Sequence, residues 1–279
     1  MKKDFDLCIY HGSCADGFGA ASALYTKYKN DIEYHAGIHG HLPPYDLAKN
    51  KKVIIVDFSY KRDKLIELAN CAESVLILNH HVSAEKDLVD LPENVEVIFD
   101  QSRSGAVITW DYIHGHVPKL IEHIGDRDIW AFKLKGTQEI SAAIFSYEYD
   151  FDIWQELIFE GQPAYLEDEG KTLKRKQDKD IKEMIESSKH YLMFDGHKVP
   201  ALNCSYFYAS EAGNKMAQGN PFSVCYQFNG KKISCCLRST DEGIDVSEIA
   251  VKFGGGGHRN ASGCSFELSD FCKMIIENH

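Results

Sequence analysis

Four apolar runs punctuate the first hundred residues, and each ends in polar residues able to do chemistry. They are "DLCIYH" at His11, "KKVIIVDFS" at Asp57, "SVLILNHH" at Asn79, His80 and His81, and "VEVIFDQS" at Asp100. Runs of this length, rich in Val and Ile and without polar alternation, predict buried parallel strands. Between the first three lie "DGFGAASALYTKYK" and "KRDKLIELANCA", whose apolar spacing predicts helices. Strand and helix in alternation imply an α/β sheet with right-handed crossovers, and ligands of such sheets collect at the carboxyl ends of the strands. The polar residues named above all fall at that end.

Past residue 104 the pattern turns helical through "SGAVITWDYIHG", "PKLIEHIGDRDIW" and "DFDIWQELIFEG". The charged stretch from Lys171 to Glu186 mixes both signs and carries Leu173, Ile181 and Ile185, which predicts a solvated linking helix rather than a basic nucleic-acid patch. From about residue 191 short strands take over, with a hairpin turn at Asn229-Gly230 and then a glycine-rich loop. The expected organisation is an α/β N-terminal parallel-sheet domain over 1–160, a helical linker over 161–190, and a smaller α+β domain over 191–279, with a cleft between the two domains.

Composition narrows the function. A chain of 279 residues with 44% hydrophobic content can build two cores. The net charge of -11 argues against a protein that coats long nucleic acid, since that binding depends on neutralising many phosphates with Lys and Arg. A short anionic substrate held locally stays compatible. No segment approaches the roughly 20 apolar residues of a membrane span, the N-terminus lacks a signal-peptide apolar stretch, and the nine cysteines include no C-x-x-C pair. A cytoplasmic protein with reduced thiols is expected.

Several residues look chemically committed. Asp57 ends a strand that otherwise holds only apolar residues, where an unpaired acid is costly. "NHH" adds His80 and His81, "YHGSCADG" offers His11, Cys14 and Asp16, and "HIGDRDIW" offers Asp126 and Asp128. Carboxylates mixed with imidazoles suit Mn²⁺ or a similar divalent ion, and several carboxylates allow two ions to share a ligand. In "FGGGGHRNASG" four consecutive glycines carry a large entropic cost. Exposed backbone N–H groups there would form an anion site, with His258 and Arg259 adding charge, and a flexible surface loop is the competing reading. Arg238 in "CCLRST" is a further phosphate ligand candidate.

Taken together, H-x-x-C-x-D-G, V-D-F-S, N-H-H, S-G-A at 104–106, G-D-R-D-x-W and G-G-G-G-H-x-x-A-x-G resemble the DHH phosphoesterase superfamily, in the group with the DHH-associated C-terminal domain. The similarity covers nearly the whole chain, in the family's motif order. It implies a two-domain, Mn²⁺-dependent phosphohydrolase binding two ions. Carried over position by position, it makes His11, Asp16, Asp57, His80 and Asp126 metal ligands, with Asn79 at a metal position where the family has aspartate. It also implies catalytic roles for Asp57, His80 and His81. Substrate phosphate would be held by Arg238, Gly255, Gly256, Gly257, His258 and Arg259, with Ser104 also at the substrate. Asp126 is preferred to Asp128, which could instead cap or pack a helix.

Two departures stand out. Cys14 lies where many relatives have a first-motif aspartate, and Asn79 replaces the aspartate that names the family. The amide reads as a substitution that weakens the chemistry while keeping the fold, a deliberate change being favoured over a natural one because every other motif is intact. The implied reaction is in-line hydrolysis of a phosphodiester at two metal ions. The acidic surface and a two-domain cleft point to short oligoribonucleotides, with linear dinucleotides such as pGpG foremost. The rivals are an exopolyphosphatase, a cyclic-dinucleotide phosphodiesterase, and a catalytically silent nucleotide sensor. Tyr206, Phe207 and Tyr208 could stack a base or sit in a core, and a homodimer is left open.

Overall fold

A computed structural model describes residues 4–275 and divides the chain into two compact units, Met1–Lys174 and Arg175–His279. In the first unit the apolar runs become β1 (Leu7–His11), β3 (Lys52–Val56), β4 (Ser74–Asn79) and β5 (Val95–Phe99). They form a parallel sheet of order β2-β1-β3-β4-β5. The edge strand β2 (Glu33–Gly37) did not stand out in the sequence. It pairs on one side only, so "EYHAG" can carry polar side chains instead of a continuous apolar run.

Helices cover this sheet as the spacing predicts. The crossovers are α1 (Ala15–Tyr28), the short α2 (Tyr45–Ala48) and α3 (Arg62–Cys71). Beyond the sheet come α4 (Gly105–His114), α5 (Lys119–Asp128), α6 (Thr137–Ile144), α7 (Phe151–Phe159) and α8 (Pro163–Ser188). One sheet face packs Leu7, Ile9, Val53, Ile55 and Ile77 with Leu65 and Leu68 of α3. The other packs Cys8, Ile54, Val56, Leu76 and Leu78 under α1, α4, α5 and α7, around the fully buried Trp110 and Trp154. Full burial of such side chains contributes about 1.5–3 kcal/mol each. It explains why strands apolar on both faces are stable only in the middle of this layered arrangement.

The second unit is a six-stranded mixed sheet of order β10-β11-β9-β8-β7-β6. Its strands are β6 (His190–Phe194), β7 (His197–Asn203), β8 (Ser223–Phe228), β9 (Ile233–Arg238), β10 (Gly256–His258) and β11 (Ala261–Phe266), with α9 (Tyr206–Ala217) and α10 (Val246–Lys252) packed on it. Asn229-Gly230 turns β8 into β9, with Gly230 at φ 91° and the Asn229 N–H donating to the Lys232 carbonyl. The glycine run is not an open loop. Gly256 and Gly257 pair with Gly263 and Ser262 in the β10–β11 ladder. A Cβ on Gly255 would lie 1.9 Å from the Gly263 carbonyl oxygen, and one on Gly257 would lie 2.5 Å from that of Ala261. Close backbone approach therefore requires glycine at these two places, independently of any ligand.

Candidate metal centre

The carboxyl ends of three adjacent strands bring together the residues with chemistry. His11 ends β1, Asp57 follows β3, and Asn79, His80 and His81 close β4. Asp57 has a left-handed backbone, φ 53°, and its N–H donates to the Leu78 carbonyl at 2.9 Å. Such a conformation is rare outside glycine and is stabilised here by its surroundings. Gly105, the first residue of α4, packs directly on it: a Cβ at Gly105 would lie 2.4 Å from the Asp57 Cβ. The same helix start reaches Asp16, whose two carboxylate oxygens each accept the Ala106 N–H at 3.2 Å. A helix N-terminus favours a carboxylate in this position.

Asp57 is the hub. Its Oδ1 lies 3.0 Å from His80 Nε2 and 3.7 Å from His81 Nδ1, and its Oδ2 lies 3.4 Å from His11 Nδ1. Within the first unit two triads have ligand atoms all within 4.8 Å of one another: His11–Asp57–His81, and Asp16–Asp57–His80. Asp57 belongs to both. His80 Nε2 is also 3.9 Å from Asp16 and 3.5 Å from Asp128.

The electrostatics call for positive charge. Burial, followed by the carboxylates of Asp128 and Asp57, pushes the Asp16 carboxyl well above the usual carboxylate range. Burial raises Asp128 as well, against the pull of His80. Asp57 Oδ2 and His11 Nδ1 are buried and neither makes a hydrogen bond. Crowded buried acids with an orphaned oxygen and an orphaned imidazole nitrogen fit divalent cations, and the O/N donor set suits Mn²⁺-like ions.

The structure brings Asp128, not Asp126, to this cluster. Asp126 instead accepts hydrogen bonds from the Lys133 N–H at 2.8 Å, the Leu134 N–H at 3.0 Å and the Thr137 hydroxyl at 2.6 Å. Its carbonyl also takes the Ala131 and Phe132 N–H groups, so Asp126 fastens the loop after α5. Asp126, preferred from the motif, has its side-chain hydrogen bonds in the following loop, whereas Asp128 lies 3.5 Å from His80 Nε2.

Other expected residues fall as follows. Ser104 is buried and caps α4, accepting the Val107 N–H at 3.4 Å, so it meets the protein's own backbone. Asn79 is fully buried, and its Oδ1 accepts from the His80 N–H at 2.7 Å and the His81 N–H at 3.1 Å. These two donors fix the amide's orientation, and Nδ2 is left buried without a hydrogen bond. The same Oδ1 lies 2.9 Å from His81 Nδ1. Because Oδ1 can only accept, Nδ1 carries the proton and Nε2 is the nitrogen that presents a lone pair.

In the second unit Arg238 donates to the Leu237 carbonyl and the Ser210 hydroxyl, and Arg259 to the carbonyls of Asp241 and Gly243. Among the described residues neither guanidinium has a carboxylate oxygen within 4.0 Å. His258 ends β10, directly before Arg259. Tyr206 and Phe207 are exposed, whereas Tyr208 is half-buried and donates to Asp180. Among the described residues, no helix is long and apolar enough to cross a membrane.

Comparison with known proteins bears on this site. No family model matches the chain. It is 35% identical to the oligoribonuclease NrnB of Bacillus subtilis (strain 168), over 96% of this chain and 75% of that protein. It is 34% identical to an uncharacterized protein of Acanthamoeba polyphaga mimivirus, over 95% of this chain and 68% of that protein. Among solved structures, RecJ from Thermus thermophilus in complex with Mn²⁺ shares the fold with a TM-score of 0.53 at 12% identity, over 97% of this chain and 51% of that chain.

Proposed function

The chain belongs to the DHH phosphoesterase superfamily, and from that membership we propose that it is a metal-dependent phosphodiesterase of short oligoribonucleotides, using two Mn²⁺-like ions. The observation that carries this reading is the sharing of Asp57 by two ligand triads. Asp16, Asp57, His80 and Asp128 would hold one ion, and His11, Asp57 and His81 the other. When bound, such ions act as Lewis acids on a phosphoryl group and activate water. The chain's own residues do the rest. Asn79 Oδ1 orients the His81 ring so that Nε2 faces outward from the amide, to a cation or, when protonated, to a phosphoryl oxygen. The α4 N-terminus holds Asp16 in place through the Ala106 N–H. Arg238, His258 and Arg259 are the groups we assign to substrate phosphate, the two arginines because their charges lack a carboxylate partner.

NrnB is named an oligoribonuclease, which favours short RNA over polyphosphate here, and linear dinucleotides such as pGpG are the shortest substrates of that class. The test is turnover of a panel comprising pGpG, RNAs of increasing length, cyclic di-GMP and polyphosphate, each with Mn²⁺, Mg²⁺ or chelator. Metal-dependent release of mononucleotides from the shortest RNAs is expected, and Arg259→Ala should raise KM with metal content unchanged. Turnover of polyphosphate alone, or tight nucleotide binding with no product under any metal and after Asn79→Asp, would overturn the proposal.

A further inference from the structure

The loop after α5 adopts a strained conformation that packing does not explain. Residues 129–136, "IWAFKLKG", follow directly on Asp128, whose carboxylate lies 3.5 Å from His80 Nε2. Trp130 stands two residues further, so its backbone is within about 7 Å of the Asp128 backbone. Trp130 and Phe132 both take a left-handed backbone, at φ 57° and 47°, a conformation that is costly for bulky aromatic residues. Asp126 holds it in place: its carbonyl accepts the Ala131 and Phe132 N–H groups, and its carboxylate accepts those of Lys133 and Leu134. The two rings meet edge to face with centroids 4.8 Å apart, and the Arg127 guanidinium carbon sits 5.8 Å from the centre of the indole. Both rings are half-buried, and neither enters the apolar cores on the two faces of the sheet. A strained loop that keeps two aromatic rings partly in water, beside a candidate metal centre, calls for a ligand.

The composition of the loop indicates the chemistry of that ligand. In a chain of net charge -11, residues 129–136 carry two exposed lysines, Lys133 and Lys135, and no acid. Aromatic faces beside cations are the surface that takes single-stranded nucleic acid, with rings stacking on bases and positive groups following phosphates. We propose that Trp130, steadied by Phe132 and Arg127, is the stacking platform for the base of the nucleotide whose phosphate is held at the metal centre. The inference rests on the short-RNA reading above and names what that site recognises besides phosphate. Stacking uses the π-face that every base has and reads no hydrogen-bond pattern, so the platform accepts any base and binds purines more tightly than pyrimidines. It separates nucleotides from polyphosphate without selecting guanine over adenine.

The experiment is a tryptophan fluorescence titration of the full-length chain in Mn²⁺, with ligands that contain no phosphodiester to hydrolyse: GMP, CMP and ribose 5-phosphate, the last being the sugar phosphate without a base. Trp110 and Trp154 are fully buried, which leaves Trp130 as the indole that a base can reach. Saturable quenching by GMP, weaker binding of CMP and no quenching by ribose 5-phosphate are expected. In calorimetric titrations Trp130→Leu should weaken GMP binding by at least about fivefold, with Mn²⁺ and ribose 5-phosphate affinities unchanged, and Trp130→Phe should restore GMP binding without the quenching. Circular dichroism melts check the fold, and if Trp130→Leu fails to fold, the wild-type comparison of GMP with ribose 5-phosphate decides. GMP bound without quenching, no GMP binding, or equal GMP affinity in Trp130→Leu overturns the platform, and RNA turnover in the same protein would leave the short-RNA reading standing. Equal losses for GMP and ribose 5-phosphate would make Trp130 a structural residue and overturn it too. Base-dependent quenching together with turnover of polyphosphate alone supports the platform and overturns the short-RNA reading.

Discussion

Asp126 and Asp128 sit two residues apart in one motif and have different partners, Asp126 the loop after α5 and Asp128 His80, which a pair of substitutions separates. Asp126→Asn replaces a carboxylate that takes two backbone N–H groups and the Thr137 hydroxyl. Hydrogen bonds to a charged acceptor contribute about 1.5–3 kcal/mol each. The amide keeps one acceptor oxygen and water reaches part of the loop, so a loss of about 2–4 kcal/mol is expected. At roughly 2–4 °C per kcal/mol for a unit of this size, the first unit's Tm should fall by about 4–16 °C. The pH dependence has a definite sign. Burial works to raise the Asp126 pKa, but Thr137 and the Leu134 and Lys133 amides together hold it below the usual carboxylate value. A depressed folded pKa contributes stability above the unfolded value of about 3.9 and loses it as pH falls through the folded value. The Tm gap between wild type and Asp126→Asn should therefore be full at pH 7 and shrink below about pH 4. Asp128→Asn removes a half-buried carboxylate that crowds Asp16 and Asp57, so the metal-free Tm should hold or rise. Mn²⁺ affinity should drop by more than the ~10–100-fold typical of lost outer-shell partners. The assays are thermal circular dichroism from pH 3 to 8 and calorimetric Mn²⁺ titration. An Asp126→Asn protein with unchanged Tm and lost metal, or an Asp128→Asn protein with unchanged metal affinity, refutes the assignment.

Two further outcomes follow from the same geometry. Asn79→Asp keeps the acceptor for the His80 and His81 N–H groups and replaces the orphaned Nδ2 with an oxygen, so Mn²⁺-dependent hydrolysis should rise by about 10²-fold in kcat. Equal rates on every short RNA would show that the amide is not what limits the chemistry. Gly105→Ala puts a methyl group 2.7 Å from Asp57 Oδ1, so calorimetry should show Mn²⁺ binding weakened by at least about tenfold, while Gly115→Ala, with open space around its Cβ but φ 69°, should lower only Tm. Equal Mn²⁺ affinity in Gly105→Ala would mean that Asp57 is not held by this contact.

The central strands were legible because burial on both faces leaves a continuous apolar run, as in "VIIV" and "VLIL", and an acid or histidine at the end of such a run is conspicuous. Asp57 could be singled out on that ground alone, and His11 and His80 only together with it. The edge strand β2 could not, because pairing on one side leaves its side chains half in water and its pattern mixed. The glycine run showed a demand for bare backbone, but only the fold reveals that Gly255 and Gly257 answer to the chain paired beside them. Asp126 and Asp128 are equivalent as letters in "GDRD". Their separation depends on rotation about α5: one turns toward the amides of its own following loop and the other toward β4, so partners distant in sequence decide which carboxylate is spoken for. The same holds for Ser104 and Gly105, where an ordinary helix start acquires its importance from α1 and β3 lying against it. Local patterns record burial and chain direction, residue by residue. Which polar groups meet is a property of long-range packing, and it is there that the candidate metal centre is assembled.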